Sequence, residues 1–501
     1  MPQVTAPRGA PPGGRPWAGL AGLLLVLAGC RLGPEYVPPT PEMPASYRAT
    51  VSGAPAATAG ATWWEGFGST DLDGLMAAAA AGSFDVRAAI ARVAQADASL
   101  RAAGSALLPR INGGAGENWS RTTIANAVPS FGPGGLPLQS AQKTLEFRTY
   151  NVGPSASYEL DFWGANRAAQ EAAAGNALFS RYDQQTVTLT TLASVANTWF
   201  TALAYQDRLT VAQSNLRDAE ETLKAIRARM EVGTASMLDV AQEEALVAGV
   251  RATIPSLRSQ RDQQAAALGI LVGRLPQGIP IPAGTLTTLA LPEVAPGLPS
   301  TLLARRPDVA AAEAQLQAQN ANIRAARAAF FPTVTLTGSA GWQSEALQTL
   351  LSPQSMLFNA AANAAQTIFD NGQLSAQYEQ AKARYDELLA DYHKAVVQAF
   401  TDVETALVAW RETTEQERLE QEAVRTAQRA ADIAHAQVLA GTLDIVAELQ
   451  SQTTLYADQD ALAQARLARF LALVSLYKAI GGGWSAQDVT APDTPIYNGI
   501  L

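Results

Sequence analysis

Apolar residues that recur every three or four positions predict two very long helices. The first runs from about Arg167 to Met230, contains no proline and has Gly175 as its only glycine. The second runs from about Leu374 to Leu439. At a rise of 1.5 Å per residue, the first helix would be about 95 Å long. One apolar stripe marks the buried side of the second helix: Leu374, Tyr378, Ala381, Tyr385, Leu388, Tyr392 and Val396.

The far ends of both segments tighten to a seven-residue repeat, which predicts that each helix supercoils with a partner. Gly233 and Gly441 follow the repeats and suit the left-handed turn that ends a helix. We therefore expect two antiparallel coiled-coil hairpins. The alternative is an ordinary helical bundle, which does not account for helices of this length beside strands. The repeat positions are Leu209, Ala212, Leu216, Ala219, Leu223, Ile226 and Met230, and then Val424, Ala427, Ala431, Ala434 and Val438.

A second pattern, in which polar and apolar residues alternate, predicts strands. The alternating segments are Tyr150–Phe162 and Val334–Trp342, with weaker ones at Ile111–Ser120 and Met356–Phe369. Each half of the chain thus holds a strand pair, at about residues 110–162 and 333–369. The first pair is joined by a Gly/Pro-bearing loop at Pro129–Leu138.

These strands are long enough to cross a membrane, for which about 9 to 11 residues are needed. A single apolar side is what lipid outside and water inside would require. A small soluble sheet, or a sheet packed on a helix, is the alternative. Four strands do not close a barrel and an open edge is not tolerated in hydrocarbon, so membrane strands would require several chains to share one barrel.

The chain also contains an internal duplication. Gly233-Thr234 recurs as Gly441-Thr442, 208 residues later (441 − 233), and Gly273 recurs as Gly481 at the same separation. A unit made of a hairpin and a strand pair has no way to close on itself, which favours a symmetric tube of several copies. The predicted boundaries are a first repeat at 63–275, a Pro-rich connection at 276–306, a second repeat at 307–484 and a C-terminal tail at 485–501.

The N-terminus has the layout of a secretory signal. Two arginines precede a short apolar run, Leu20–Leu27, which continues into Ala-Gly-Cys30. This ending resembles a bacterial lipobox and implies that residues 1–29 are removed, that Cys30 is lipidated and that residues 30–62 form an extended tether. A plain signal peptide with an incidental cysteine is the alternative. We expect no later stretch to be long and apolar enough for a transmembrane helix, so any crossing would use strands.

Composition and candidate chemistry narrow the function further. The net charge is −9 and no helix carries a basic cluster, which disfavours a nucleic-acid partner. The only two histidines, His393 and His435, lie in helical segments and are too far apart for a metal pair at helical spacing or a His-based triad. No glycine-rich phosphate loop is present in the sequence. We therefore expect no enzymatic activity, no cofactor and no metal site.

Four motifs carry a family resemblance. They are Leu303-Ala304-Arg305-Arg306-Pro307-Asp308-Val309 followed by Glu313; Phe330-Phe331-Pro332; Val232-Gly233-Thr234 with Ser236 and Asp239; and Leu476-Tyr477-Lys478-Ala479-Ile480-Gly481-Gly482-Gly483-Trp484. The chain resembles, from the lipobox to Trp484, the TolC-like outer membrane factors of tripartite efflux systems, in their OprM-like lipoprotein branch often labelled NodT.

The resemblance implies a mainly α fold with a β-barrel portion. Three chains would contribute four strands each to a 12-stranded outer-membrane barrel, continued by a helical tunnel through the periplasm. The homotrimer would be a passive exit duct, anchored to outer-membrane lipid, whose periplasmic tip docks onto an adaptor and opens when an inner-membrane pump, of the RND type or another, engages. Arg31, which follows Cys30, is not the Asp that retains lipoproteins at the inner membrane of enteric bacteria.

Under the resemblance, the first hairpin turn faces the adaptor. Arg229, Gly233, Thr234, Ser236 and Asp239 match the family pattern. The corresponding turn of the second hairpin is Gly441-Thr442. The alternative is purely structural: Gly233 ends one helix, Ser236 caps the next and Asp239 stabilises its first turn.

The second hairpin tip lies where relatives have their constriction, and it contains Asp444, Val446, Glu448, Leu449 and Gln450. A relative has Asp and Arg where this chain has Gln450 and Thr453, so we expect closure at Val446 or Leu449, with Asp444 or Glu448 as an acidic ring. Alternatively, Val446 and Leu449 are seam residues of the coiled coil. We expect the first hairpin to be the fixed wall and the second to move.

Two rival functions remain at the level of sequence. A periplasmic adaptor lipoprotein would have one hairpin flanked by lipoyl-like strands, whereas this chain predicts two hairpins and strands of membrane length. A structural envelope lipoprotein or adhesin stalk leaves the strand pairs and the Gly-Gly-Gly-Trp ending unexplained. Neither rival predicts single-channel conductance.

Overall fold

The computed structural model describes residues 33–41, 44, 46–48, 60–125, 142–292, 302, 305–484 and 489. Cys30, the loop at Pro129–Leu138 and most of the tail 485–501 lie outside the described residues. The first half contains helices α1 (Thr70–Gly82), α2 (Phe84–Ser105), α3 (Ala165–Glu231) and α4 (Met237–Val272) and strands β1 (Arg110–Ala125) and β2 (Gln142–Leu160). The second half contains helices α5 (Pro307–Ala328), α6 (Gln373–Leu439) and α7 (Ile445–Ala479) and strands β3 (Thr333–Ser344) and β4 (Met356–Ala365).

The two long helices have the predicted extent. Helices α3 and α6 are each 67 residues long, or about 100 Å at the α-helical rise. Each begins after a glycine in the left-handed region, Gly164 and Gly372, and its C-terminal half packs against the shorter helix that follows it. The two predicted hairpins, α3 with α4 and α6 with α7, are therefore confirmed.

The four strands form one antiparallel sheet in the order β1-β2-β3-β4. The β2–β3 pairing, in which Tyr158 lies opposite Leu336, joins the two halves of the chain. β2 ends at Leu160, because a turn precedes α3, and not at Phe162 as the alternation indicated; β4 likewise ends at Ala365 and not at Phe369. Strands β1 and β4 form the two edges of this sheet.

Near the helices the strand register gives the sheet one mainly apolar and one mainly polar face, whereas farther out the first face carries the ion pairs Arg148–Glu117 and Arg121–Glu146. Ile111 lies opposite Ala156, and Ala340 lies opposite Phe358. The apolar face contains Ile111, Ala115, Val152, Ala156, Tyr158, Leu336, Ala340, Trp342, Phe358 and Ala362. The other face contains Asn112, Asn118, Asn151, Ser155, Ser157, Thr335, Thr337, Ser339, Asn359 and Asn363. Because side chains alternate along a strand, this register places the expected two-sided pattern on a single continuous sheet.

The main hydrophobic core lies where the helices of both halves meet. Trp63 stacks on Tyr477 with a centroid distance of 5.0 Å, and Phe67 meets Phe200 at 4.9 Å. Phe200 also contacts Phe470 at 4.9 Å. Because these rings come from a short 3-10 turn before α1, from α3 and from α7, they fix the second half against the first.

One expectation about the helices was wrong. The stretch Thr70–Ser105 does reach the length and hydropathy of a membrane span, with a mean hydropathy of 1.2, because alanine raises the average. The stretch is two helices, however, since the chain is extended at Ser83 (ψ 133°) between α1 and α2. α1 has 13 residues, fewer than the roughly 20 that a spanning helix needs. α2 has 22 residues but contains five charged side chains, namely Asp85, Arg87, Arg92, Asp97 and Arg101.

The described part of the expected tether packs on the second half of the chain. The Asn320 side chain donates a hydrogen bond to the carbonyl of Pro34 over 3.3 Å. Farther along, the Arg48 amide donates to Glu404, and the Tyr47 ring lies 6.5 Å from that of Phe400. These contacts hold the segment against α5 and α6.

Candidate functional site at the hairpin tips

The first hairpin turn is built on a left-handed glycine. Gly233 has φ 77°, and a Cβ at this position would meet nothing within 4 Å. Glycine is therefore required by the left-handed backbone conformation and not by a lack of space for a side chain. Its amide donates to the Met230 carbonyl over 3.0 Å, and the Thr234 amide donates to the Arg229 carbonyl over 2.8 Å. These bonds satisfy the last carbonyls of α3 and end that helix.

A capping box starts the return helix. The Asp239 amide donates to Ser236 Oγ over 3.2 Å, and the Ser236 amide donates to Asp239 Oδ2 over 2.7 Å. The structural interpretation of Ser236 and Asp239 is therefore correct for this turn. Their contact with an adaptor stays a prediction.

The second turn repeats this geometry. Gly441 has φ 71°, its amide donates to the Val438 carbonyl over 3.0 Å, and the Thr442 amide donates to the Gln437 carbonyl over 2.9 Å. Asp444 begins α7, where its Oδ1 accepts the Val446 amide over 3.1 Å.

The fold brings the two tips together. The Arg229 guanidinium donates to the Val438 carbonyl over 2.5 Å, which joins the end of α3 to the end of α6. Residues of both hairpins also form one apolar cluster: Ala219, Leu223, Ile226, Val240, Val247, Val438 and Ile445. The predicted adaptor-facing and gate residues are therefore neighbours within a single chain.

Exposed apolar side chains surround the first turn. Val232, Met237 and Leu238 are 74%, 78% and 65% exposed. Sequence reasoning missed them because they lie outside the heptad positions. The sequence feature that could have identified them is the presence of three apolar residues beside a Gly-Thr turn, because a turn exposed to solvent usually has polar residues. Such a patch is typical of a surface that binds another protein.

The predicted gate residues differ in exposure. Val446 is 52% exposed, and Asp444 and Gln450 are also exposed. Leu449 is half-buried and packs on the apolar cluster of the tips, so the seam interpretation is correct for Leu449 and wrong for Val446.

The expectation that Glu448 could form an acidic ring at the constriction is wrong. Its side chain is 1% exposed and its Oε1 lies 2.7 Å from His435 Nδ1, so it points into the chain. A carboxylate with this burial does not line an open surface. Of the two candidates for the ring, Asp444 is the one whose side chain is accessible.

A second buried acid, Glu243 on α4, was missed. Glu243 is 0% exposed, and burial, together with the nearby charge of Glu448, raises its pKa to about 7. Glu243 continues the three–four spacing between Val240 and Val247, so it occupies a seam position where an apolar residue is the rule. The occurrence of an acidic residue at a heptad seam position is the sequence feature that could have identified Glu243.

The tips and the rest of the described residues offer no metal centre, since no group of three His, Cys, Asp or Glu side chains among them is arranged to hold an ion. His435 is engaged by Glu448, and the ring of His393 lies 5.8 Å from that of Tyr392.

Comparison with known proteins agrees with this architecture. The family model described as outer membrane efflux protein matches residues 75–274 and 298–482, one match in each half. The pyoverdine export outer membrane protein OpmQ of Pseudomonas aeruginosa is 38% identical over 92% of this chain and 96% of its own length. The toluene efflux pump outer membrane protein TtgF of Pseudomonas putida is 34% identical over 94% and 98%.

A solved structure shows the same fold. The open state of the MtrE outer membrane channel of Neisseria gonorrhoeae superposes with a TM-score of 0.80 at 28% identity, covering 91% of this chain and 99% of that one. The chain belongs to the outer membrane efflux protein family. It is the outer-membrane channel of an efflux system, and this channel extends into the periplasm. The family consists of channel proteins.

Proposed function

We propose that three copies of this chain form one passive exit duct. The observation that carries the proposal is the two-faced sheet, whose edge strands β1 and β4 each have one side with no partner strand among the described residues. Four strands with an open edge are not stable in hydrocarbon, and three chains would supply twelve strands and no edge. The polar faces would then line the pore and the apolar faces would contact lipid.

Lipidation of Cys30 would hold each chain at the membrane. The contacts of Pro34 with Asn320 and of Tyr47 with Phe400 support this proposal, because they place residues close to Cys30 in sequence against the helices. Mass spectrometry of the mature protein tests it: a diacylated N-terminal cysteine is expected, and an unmodified Cys30 would contradict the anchor.

Reconstitution in a planar bilayer tests the duct itself. We expect the purified full-length protein to migrate as a trimer and to produce discrete single-channel currents with low open probability when no partner is present. Absence of channels in a protein that is trimeric and inserted would contradict the proposal, and would favour a structural envelope lipoprotein.

We further propose that the first turn binds a periplasmic adaptor and that an inner-membrane pump, of the RND type or another class, drives opening through it. The exposed side chains of Val232, Met237 and Leu238 support this docking. Six turns in a trimer, two from each chain, would present a pseudo-sixfold tip to the adaptor.

Crosslinking tests this docking surface. Replacing Leu238 by Asp is expected to reduce adaptor crosslinking more than tenfold while trimers persist, because it places a charge in an apolar contact. Replacing Gly233 and Ser236 tests the turn in the same way, by loss of adaptor crosslinking while trimers persist. Loss of the trimer in that variant would leave the turn only a structural role. The matched control is Ile270→Asp, also on α4 and 74% exposed but distant from the tip.

Identity to relatives favours one substrate class. OpmQ, which exports pyoverdine, is more similar to this chain than TtgF, which serves a toluene pump, with 38% against 34% identity. We propose export of a pyoverdine-type siderophore. Expression in a strain that lacks OpmQ should restore pyoverdine secretion; restoration of toluene tolerance alone, in a strain lacking TtgF, would contradict this assignment.

A further inference from the structure

Two carboxylic acids are buried where the hairpins meet. Glu243 on α4 and Glu448 on α7 are 0% and 1% exposed. Their helical neighbours Val240, Val247 and Ile445 belong to one apolar cluster, so both acids lie at the contact between the first and second hairpins near the tips.

The two acids are satisfied very differently. Glu448 Oε1 lies 2.7 Å from His435 Nδ1 and also accepts Gln452 Nε2 over 3.4 Å. Neither side-chain oxygen of Glu243 has a hydrogen-bond partner within the described part of the chain. An ionised carboxylate in this position is costly, so the packed hairpins favour the neutral acid.

The surroundings of Glu243 reinforce this preference. Glu448 and Tyr456 come from α7, Asp218 from α3 and His435 from α6. The pKa of Tyr456 is itself raised, first by burial and then by the charges of Asp218, Glu243 and Glu448, which shows that the site is both dry and acidic. The His435 ring is engaged by Glu448. Because burial and the charge of Glu448 both raise the pKa of Glu243, and neither of its oxygens has a partner among the described residues, Glu243 holds a proton in the packed form below about pH 7.

We propose that a proton held by the Glu243–Glu448 pair latches the second hairpin onto the first, and that losing this proton favours separation of the hairpins. This inference rests on the proposed function, in which the tips open and close. The proton is a regulator of the duct and is not transported by this step.

The direction of the pH dependence follows from linkage. Packed against Glu448, Glu243 keeps its proton up to about pH 7, whereas in separated hairpins it would be solvated with its ordinary pKa of 4.5. The packed form therefore binds more protons between these values, and raising the pH through this window weakens the contact. The contact is complete below about pH 4.5 and weakest above about pH 7. One proton per chain gives at most about a tenfold change per pH unit.

Single-channel recording of the full-length protein from pH 5 to 8 tests the latch. Open probability of the wild type is expected to rise most steeply between pH 5 and 7. Glu243→Gln, which is neutral throughout, should give a flat profile near the wild-type value at pH 5. Glu244→Gln is the matched control: its carboxylate is exposed and pairs with Arg227, so its profile should follow the wild type.

A second variant and a second readout keep the test decisive. Glu448→Gln removes the charge that raises the pKa of Glu243. The open probability of this variant should therefore rise less with pH, and the rise should be complete at a lower pH. Spin labels are attached to the double variant Leu238→Cys and Val446→Cys, in a chain whose one native cysteine is Cys30. The distance between them should lengthen as the pH rises in the wild type and stay constant in Glu243→Gln.

The outcomes separate the latch from the duct. A conducting wild type with no pH dependence, or a Glu243→Gln channel with the wild-type profile, overturns the latch and leaves the duct standing. Absence of current at every pH overturns the proposed function. If Glu243→Gln fails to form trimers, an unshifted profile in Glu448→Gln overturns the latch.

Discussion

At the residue scale, neighbouring side chains on one helical turn have opposite environments. Ile445 and Glu448 are buried, whereas Val446 between them is 52% exposed. The Asp444 cap fixes this orientation, because its carboxylate accepts the Val446 amide and sets the first turn of α7. Val446 is therefore available to contact the same residue of other chains at a closed tip.

We predict that Val446→Asp raises leak through the closed channel, because three carboxylates at a constriction repel one another and admit water. Single-channel recordings should show at least a severalfold higher open probability, and cells should become sensitive to vancomycin. Ile270→Asp, at an exposed position of α4 distant from the tip, is the matched control and should leave conductance unchanged. Equal leak in both variants, or in neither, would contradict a gate at Val446.

The structural roles that the sequence predicted correctly at this scale depend on local geometry, whereas contact with an adaptor stays a prediction. Gly233, Ser236 and Asp239 act through hydrogen bonds to atoms within five positions, so their spacing alone identifies them. Glu448 was misjudged because its environment depends on His435, which belongs to another helix. Glu243 was missed because a search for apolar repeats passes over an acid in the seam.

At the scale of elements, the lengths of the helices were predictable and their mutual packing was not. No proline or repeated glycine interrupts α3 or α6, so each continues for 67 residues. The contacts between hairpins combine the apolar clusters with single polar side chains. Arg208 on α3 binds Asp460 on α7 through two bonds of 2.6 and 3.0 Å, and the Tyr456 hydroxyl donates to the Asn215 carbonyl over 3.2 Å. No periodicity indicates such pairs.

We predict that Asp460→Asn loosens the second hairpin from the first. Loss of a partly exposed bidentate pair costs about 1 kcal/mol, which corresponds to roughly a fivefold shift toward separated hairpins. Single-channel recording measures this as increased open probability at neutral pH. Glu244→Ala breaks the ion pair between Arg227 and Glu244 within the first hairpin and should have no effect. An unchanged open probability in Asp460→Asn would show that the pair does not hold the hairpins together.

At the scale of the whole molecule, the sheet has two edges, β1 and β4, that no further strand of the described residues covers. The alternating pattern predicted the strands, and the register of the sheet adds that most apolar positions of the four strands near the helices share one face, with Leu357 on the other. How many chains close the barrel does not follow from one chain's pattern, because an edge strand has the same alternation as a central one. The edge and central strands differ in burial instead: all ten residues of the edge strand β4 are exposed, whereas the central strand β3 has several half-buried residues.

The two faces of β4 provide the sharpest test of the assembled barrel. Phe358, paired with Ala340, lies on the apolar face, and the next residue, Asn359, paired with Ser339, lies on the polar face. If the apolar face contacts lipid, Phe358→Lys places a charge in hydrocarbon at a cost of about 2–4 kcal/mol near the midplane. We predict severalfold less trimer in outer-membrane fractions for Phe358→Lys. Asn359→Lys should assemble normally and shift the ion selectivity of the channel toward anions, because its charge faces the pore. The reverse result, with Asn359→Lys blocking assembly, would mean that the polar face contacts lipid or another protein and that the sheet is not the wall of a pore.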